Sequence, residues 1–120
     1  MIGIDMVSII RIEKMIERFG TKALARFLSK KEIALVKRPS TAAGFWAAKE
    51  AASKAIKTGI GKECGFHDIK ISKTEKNAPL MKYSKKIRKK YRIKNTEVSI
   101  SHDGGFVIAI VQNSVKKKSK

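Results

Sequence analysis

Residues 42–57 constrain this chain most: they form an Ala- and Lys-rich run that holds Gly44 but no proline. Such a composition predicts a helix, because alanine loses no side-chain freedom in helical backbone and lysine loses little. Phe45, Ala48, Ala52, Ala55 and Ile56 share one side, the expected core face. Glu50, Ser53, Lys54 and Lys57 fall on the other side, with Trp46 and Ala47 beside them. The small alanines let another backbone or a ligand come close. Pro39 interrupts the helix expected before it, Ser40 or Thr41 can cap this one, and Gly59 suits a left-handed C-cap.

The rest of the chain mixes strands and helices around that element. Residues 2–7 read as a short apolar strand, and Ile9, Ile12, Met15, Ile16 and Phe19 follow at helical spacing. Ser29 and Glu32 have the S-x-x-E form of a capping box, which starts a helix near Lys30. Residues 68–72 alternate like a half-buried strand, Asn77-Ala78-Pro79 marks a turn, and Leu80-Met81 resume extended structure. Residues 82–94 are very basic, with Tyr83, Ile87 and Tyr91 on one side of a short amphipathic helix. Strands at 97–102 and 106–112 close the domain through Asp103-Gly104-Gly105, whose glycines suit the positive φ angles of a tight hairpin. The expectation is one small α+β domain over residues 1–113, an antiparallel sheet packed on a long helix, with a frayed basic tail at 114–120.

Composition narrows the function classes. Apolar residues at 42% and charged residues at 32% in 120 residues describe a folded globular chain. The longest apolar run, residues 106–111, is too short to cross a bilayer, and Asp5, Arg11 and Glu13 break any signal-peptide core. One cysteine, Cys64, excludes an internal disulfide and a cysteine-based zinc site, consistent with a reducing cytoplasm. Twenty-eight Lys and Arg against ten Asp and Glu give +18, which calls for an acidic partner or reflects a solvated lysine surface. Nucleic acid is not the partner expected: aromatics are only 7%, no RRM, KH or zinc-finger pattern occurs, and Asp5 and Glu50 would have no task.

Three features exceed what folding requires. Asp5 interrupts an apolar strand, either as an N-cap for the next helix or as an oxygen ligand for a hard cation. Glu50 and Lys54 stand four residues apart beside Trp46, either a solvated ion pair or a metal ligand with a phosphate-binding ammonium one turn on. Val98-Ser99-Ile100-Ser101-His102 places His102 at the mouth of the hairpin, either as a structural hydrogen-bonder or as a ligand contact. Ser101 and His102 cannot act as nucleophile and base, since neighbouring strand residues face opposite ways. No Walker A loop, G-x-G-x-x-G, H-E-x-x-H or metal-spaced Cys/His set occurs.

In combination these features resemble a known family. Gly3-Ile4-Asp5 with Arg11 six residues on, Phe45-Trp46-Ala47-Ala48-Lys49-Glu50-Ala51 leading to Ser53-Lys54-Ala55, Thr58-Gly59-Ile60-Gly61, and Val98 to His102 are similar to the short, single-domain 4′-phosphopantetheinyl transferases of the holo-[acyl-carrier-protein] synthase type. The match runs in order from Ile2 to Val111. The resemblance implies that fold, and transfer of phosphopantetheine from coenzyme A to a serine of apo acyl carrier protein in fatty acid biosynthesis. It implies Mg²⁺ on Asp5 and Glu50, Glu50 or a metal-bound water beside it as the base, and Lys54 on the leaving phosphate. It further implies coenzyme A contacts from Lys49, Lys54, Ser101 and His102, a carrier-docking face on Arg11, Lys14, Met15 and Arg18, and a homotrimer with sites between subunits. Two positions depart from the family pattern: Val7 removes the second carboxylate of a D-x-E pair, and Phe45 stands where an arginine is common.

Overall fold

The computed structural model describes residues 1–117; the last three residues of the expected basic tail lie outside the described residues. Strand β1 (Ile2–Ser8) leads directly into α1 (Ile9–Phe19), followed by the short α2 (Thr21–Ala25) and the one-turn α3 (Lys30–Ile33). The long helix α4 (Pro39–Ala55) crosses the molecule, and β2 (Ile69–Lys73) and β3 (Pro79–Tyr83) form a small hairpin beside it. Helix α5 (Lys85–Tyr91) then connects to β4 (Ile93–Asp103) and β5 (Phe106–Val115). Two antiparallel sheets result, one of order β1-β5-β4 and one of β2-β3.

The three-stranded sheet packs on α4 at unusually short range, and residue size is the reason. A Cβ on Gly3 would overlap the carbonyl oxygen of Ala51 and stand 2.6 Å from the amide nitrogen of Ala55. Strand β1 therefore lies on the helix backbone itself, which only glycine facing alanine permits. Because strands and helices crowd it from several sides, α4 is buried almost all round: Ala43, Ala47, Ala51 and Ser53 are as inaccessible as the expected face. The two-sided helix of the sequence reading is thus corrected, and only Trp46, Glu50 and Lys54 reach the surface along its middle.

Local signals behave as chemistry dictates in several places. Gly104 and Gly105, at φ 58° and 84°, form the two-residue turn that pairs Asp103 with Phe106. The capping box forms, with the Glu32 amide donating to Ser29 Oγ at 3.3 Å and the Ser29 amide donating to Glu32 Oε1 at 2.8 Å. Ser8, not Asp5, caps α1, its hydroxyl accepting from the Arg11 amide. Helix α4 begins with Pro39 at its first turn and has no side-chain cap, so neither Ser40 nor Thr41 serves as one. Its C-terminal end lies at Ala55, with left-handed backbone at Lys57 as well as at Gly59.

The basic helix expected over 82–94 is shorter. Lys82 and Tyr83 belong to β3, because the Tyr83 side chain is drawn into the core, donating to the Ala52 carbonyl at 2.7 Å and accepting from Asn113 Nδ2 at 2.8 Å. At the other end Arg92 adopts left-handed backbone at φ 57° and releases Ile93 into β4.

Candidate active site

Asp5 sits mid-strand on β1, on the face turned toward α4, while its neighbours Ile4 and Met6 point outward. Lys54 Nζ donates to Asp5 Oδ1 at 2.9 Å and to the Ile4 carbonyl at 3.3 Å. The i, i+4 ion pair of Lys54 with Glu50, one of the two readings open to these residues, is therefore replaced by a pairing across forty-nine residues. Glu50, one turn earlier on α4, is half-buried, and among the described residues no ion pair engages it. Its carboxyl is held above the usual range, first by burial and then by the Asp5 charge, with Lys54 and Arg11 opposing. Arg11 also lies over the Trp46 ring, 5.5 Å from its centroid.

Two carboxylates, one ammonium and one guanidinium thus converge from β1, α1 and α4. The carboxylates offer hard oxygen donors whose mutual repulsion a divalent cation would relieve. Among the described residues no group of three His, Cys, Asp or Glu side chains stands together. A cation here would therefore draw its remaining ligands from water or a bound anion, the preference of Mg²⁺. The donor set fits that ion.

Lys49 does something else. Fully buried, its Nζ donates to Glu32 Oε1 at 2.8 Å and to the Phe27 carbonyl at 2.7 Å. Glu32 Oε2 in turn accepts from the Ile71 amide at 2.7 Å, so one ion pair ties α3, α4 and β2 together. Burial outweighs the Glu32 carboxylate and lowers the Lys49 pKa from its ordinary value. The expectation of a coenzyme A contact from Lys49 is corrected: its ammonium is committed to the core.

Ser101 and His102 separate as strand alternation requires. Ser101 faces out from the sheet, across from Ile108, whereas His102 lines a hollow of about 270 Å³ on the opposite face. Arg38 and Thr41, from the start of α4, share that hollow with Lys73, Asn77 and Pro79 from the β2–β3 hairpin. Sequence reasoning missed Arg38 and Lys73, and the Asn77-Ala78-Pro79 turn was the one local signal near them. Since β1 and β4 are the two edges of the sheet, the hollow and the Asp5 cluster stand roughly 10 Å apart across β5. On α1, Arg11, Lys14 and Arg18 are exposed along the helix, and Met15 lines a pocket of about 200 Å³ with Ala23, Arg26, Trp46 and Phe66. The outer face of the sheet is apolar, with Ile4 56% and Met6 59% exposed beside Ile108 and Ile110.

Comparison with known proteins gives the chain its relatives. Residues 1–111 match the 4′-phosphopantetheinyl transferase superfamily. A protein of Aliarcobacter butzleri named holo-[acyl-carrier-protein] synthase is 61% identical over 118 residues, 98% of this chain and all of its own length. A Campylobacter jejuni protein of the same name is 58% identical over 110 residues, covering 92% of this chain and 96% of its own. The crystal structure of the Helicobacter pylori holo-[acyl-carrier-protein] synthase in complex with coenzyme A superposes at a TM-score of 0.92, with 56% identity over 95% of this chain and all of that one. The Bacillus anthracis enzyme, solved with coenzyme A (3′,5′-ADP), gives 0.80 at 35% identity, covering 96% of each chain.

Proposed function

This chain belongs to the holo-[acyl-carrier-protein] synthase family of 4′-phosphopantetheinyl transferases, and we propose that it moves the phosphopantetheine arm of coenzyme A onto a serine hydroxyl of an apo acyl carrier protein. Adenosine 3′,5′-bisphosphate is the other product, and fatty acid biosynthesis in the cytoplasm is the setting. The observation that carries the reading is the convergence of Asp5, Glu50 and Lys54 from a strand and a helix far apart in sequence. Among the described residues no helix is long and apolar enough to cross a membrane.

Phosphoryl-type transfer asks a protein for positioning and charge neutralisation. Asp5 and Glu50 would hold Mg²⁺, whose chemistry when bound is to offset the pyrophosphate charge. Glu50 takes the proton from the serine Oγ as the Oγ–P bond forms and the P–O bond to adenosine bisphosphate breaks. Without a cation its carboxyl is held above the usual range by burial and by the Asp5 charge, so it retains a proton-accepting oxygen in reach of the site. Lys54 has a half-exposed side chain, so its ammonium can turn from Asp5 toward the leaving phosphate oxygen.

Coenzyme A is held at its nucleotide end by the hollow, where Arg38, Lys73 and His102 supply cations and donors for phosphate. Ser101, on the outer face, does not share that hollow. The carrier docks on Arg11, Lys14, Met15 and Arg18, where positive charge meets an acidic protein. A homotrimer is supported by the exposed Ile2, Ile4, Met6, Ile108 and Ile110, a patch that a monomer would leave in water. Incubating the protein with coenzyme A, Mg²⁺ and an apo carrier should raise the carrier's mass by one phosphopantetheine arm. No mass change would end the reading.

A further inference from the structure

Beside the hollow, and sharing only Lys73 with it, a groove of about 970 Å³ runs between α3 and the β2–β3 hairpin. Leu35 and Leu80 line it with apolar surface, Leu80 being 50% exposed, while Ile71 and Met81 border it with side chains turned into the core. Lys30 and Lys31 stand on one bank, Lys70, Lys73 and Lys82 on the other. Lys70 and Lys82 are direct cross-strand partners, like charge opposite like charge, an arrangement that destabilises a hairpin. Among the described residues, none of these five lysines is in an ion pair. Glu32, the one acid in the lining, is buried and engaged by Lys49 and two backbone amides. It presents no charge to an occupant.

We propose that this groove binds a free long-chain fatty carboxylate, the tail lying along Leu35 and Leu80 and the head group bridging the lysine banks. The charge complementarity selects the anion, since a carboxylate is what relieves the Lys70–Lys82 opposition. The apolar lining selects the tail, since a small anion would leave Leu80 in water. A membrane surface does not fit as well, because the apolar residues line a recess instead of projecting from the surface. Lys73 lines both this groove and the hollow beside His102, so an occupied groove draws away an ammonium that the hollow uses. On the coenzyme A reading given above, occupancy therefore raises KM for coenzyme A.

The test is a fluorescence titration of the full chain with cis-parinarate below its micelle-forming concentration, with palmitate as competitor. One saturable site per chain is expected, with binding weakened about tenfold or more by Leu80→Asp. Weakening by Lys70→Glu and by Lys82→Glu is also expected. Lys86→Glu with Lys89→Glu, on α5, should leave binding unchanged, and hexadecanol should compete about tenfold less well than palmitate. The site is overturned by any of three outcomes: no saturable binding; equal binding in Leu80→Asp; or a loss that follows the α5 charges. It is also overturned if anionic vesicles or an acidic amphipathic peptide, but not monomeric palmitate, compete through Leu80. Transfer kinetics at saturating palmitate decide the coupling separately: a raised KM for coenzyme A supports it, and an unchanged KM overturns it while the titration still decides the site.

Discussion

A methyl group added by Gly3→Ala would meet main chain, not side chains. Its Cβ would stand 2.6 Å from the Ala55 nitrogen and overlap the Ala51 carbonyl oxygen. Non-bonded heavy atoms settle near 3.5–4.0 Å, so strand and helix must part by about 1 Å. Neither can rotate away, because both contacts belong to the α4 backbone and Gly3 is itself paired with Val111. Overpacking of this kind costs about 1–3 kcal/mol. For a chain of this size that lowers Tm by roughly 4–12 °C. The chemistry suffers more. Asp5, the proposed metal ligand, lies two residues along the same strand, and a displacement of about 1 Å in such a group can cost on the order of 100-fold in rate. Thermal unfolding and initial rates of carrier modification would be measured side by side, with Gly44→Ala as control. There the new Cβ comes within 3.3 Å of Ile100 Cγ2, with Ile100 Cδ1 and Val107 Cγ1 at 3.9 Å, all side-chain methyls that can yield. The helix interior gains about 0.5–1 kcal/mol from replacing glycine, so near-neutral stability is expected. Wild-type Tm and rate in Gly3→Ala would refute the close seating of β1 on α4.

Asp5→Asn and Glu50→Gln should each abolish transfer while circular dichroism and Tm stay near wild type, and EDTA should silence the wild type until Mg²⁺ is restored; full rates in excess chelator would refute the metal assignment. Glu32→Ala leaves the Lys49 ammonium buried without its carboxylate and should cost about 3–5 kcal/mol in denaturant unfolding, whereas Glu32→Gln with Lys49→Met should recover much of it. Burial pushes the Cys64 thiol from 9.0 up to about 11 and the Tyr83 phenol from 10.0 up to about 12. Above pH 9 the unfolded chain therefore sheds these protons before the folded one does, and stability falls by about 2–3 kcal/mol per group between pH 9 and 12. Cys64→Ala, whatever its cost at pH 8, should lose less than wild type between pH 8 and 11. Arg11→Glu should raise KM for the carrier with coenzyme A binding nearly unchanged, and added salt should blunt the wild type more than the variant; a silent Arg11→Glu would move the docking face elsewhere.

Legible from the chain alone was whatever depends on a few neighbouring residues. The glycine pair at 104 and 105 demanded its hairpin, Ser29 and Glu32 demanded their capping box, and the alanine run demanded a helix, because backbone preference and capping act within about one turn. The proposed site residues Asp5, Glu50 and Lys54 were legible as breaks in local logic: a carboxylate in an apolar strand and charges on an alanine helix. Tertiary structure decided which partner each of them met. Lys54 turned to Asp5 instead of Glu50, and Lys49 entered the core because Glu32 and the Phe27 carbonyl were there to receive it. Tyr83 left the basic helix for a strand because Ala52 and Asn113 satisfied its hydroxyl inside. The hollow of Arg38, Lys73 and His102 had no sequence signature, since three separate elements build it. A charge or a hydroxyl at a given position has the same local preferences wherever it ends up. Whether it is buried, paired or presented to a ligand depends on groups that only folding brings within a few ångströms of it.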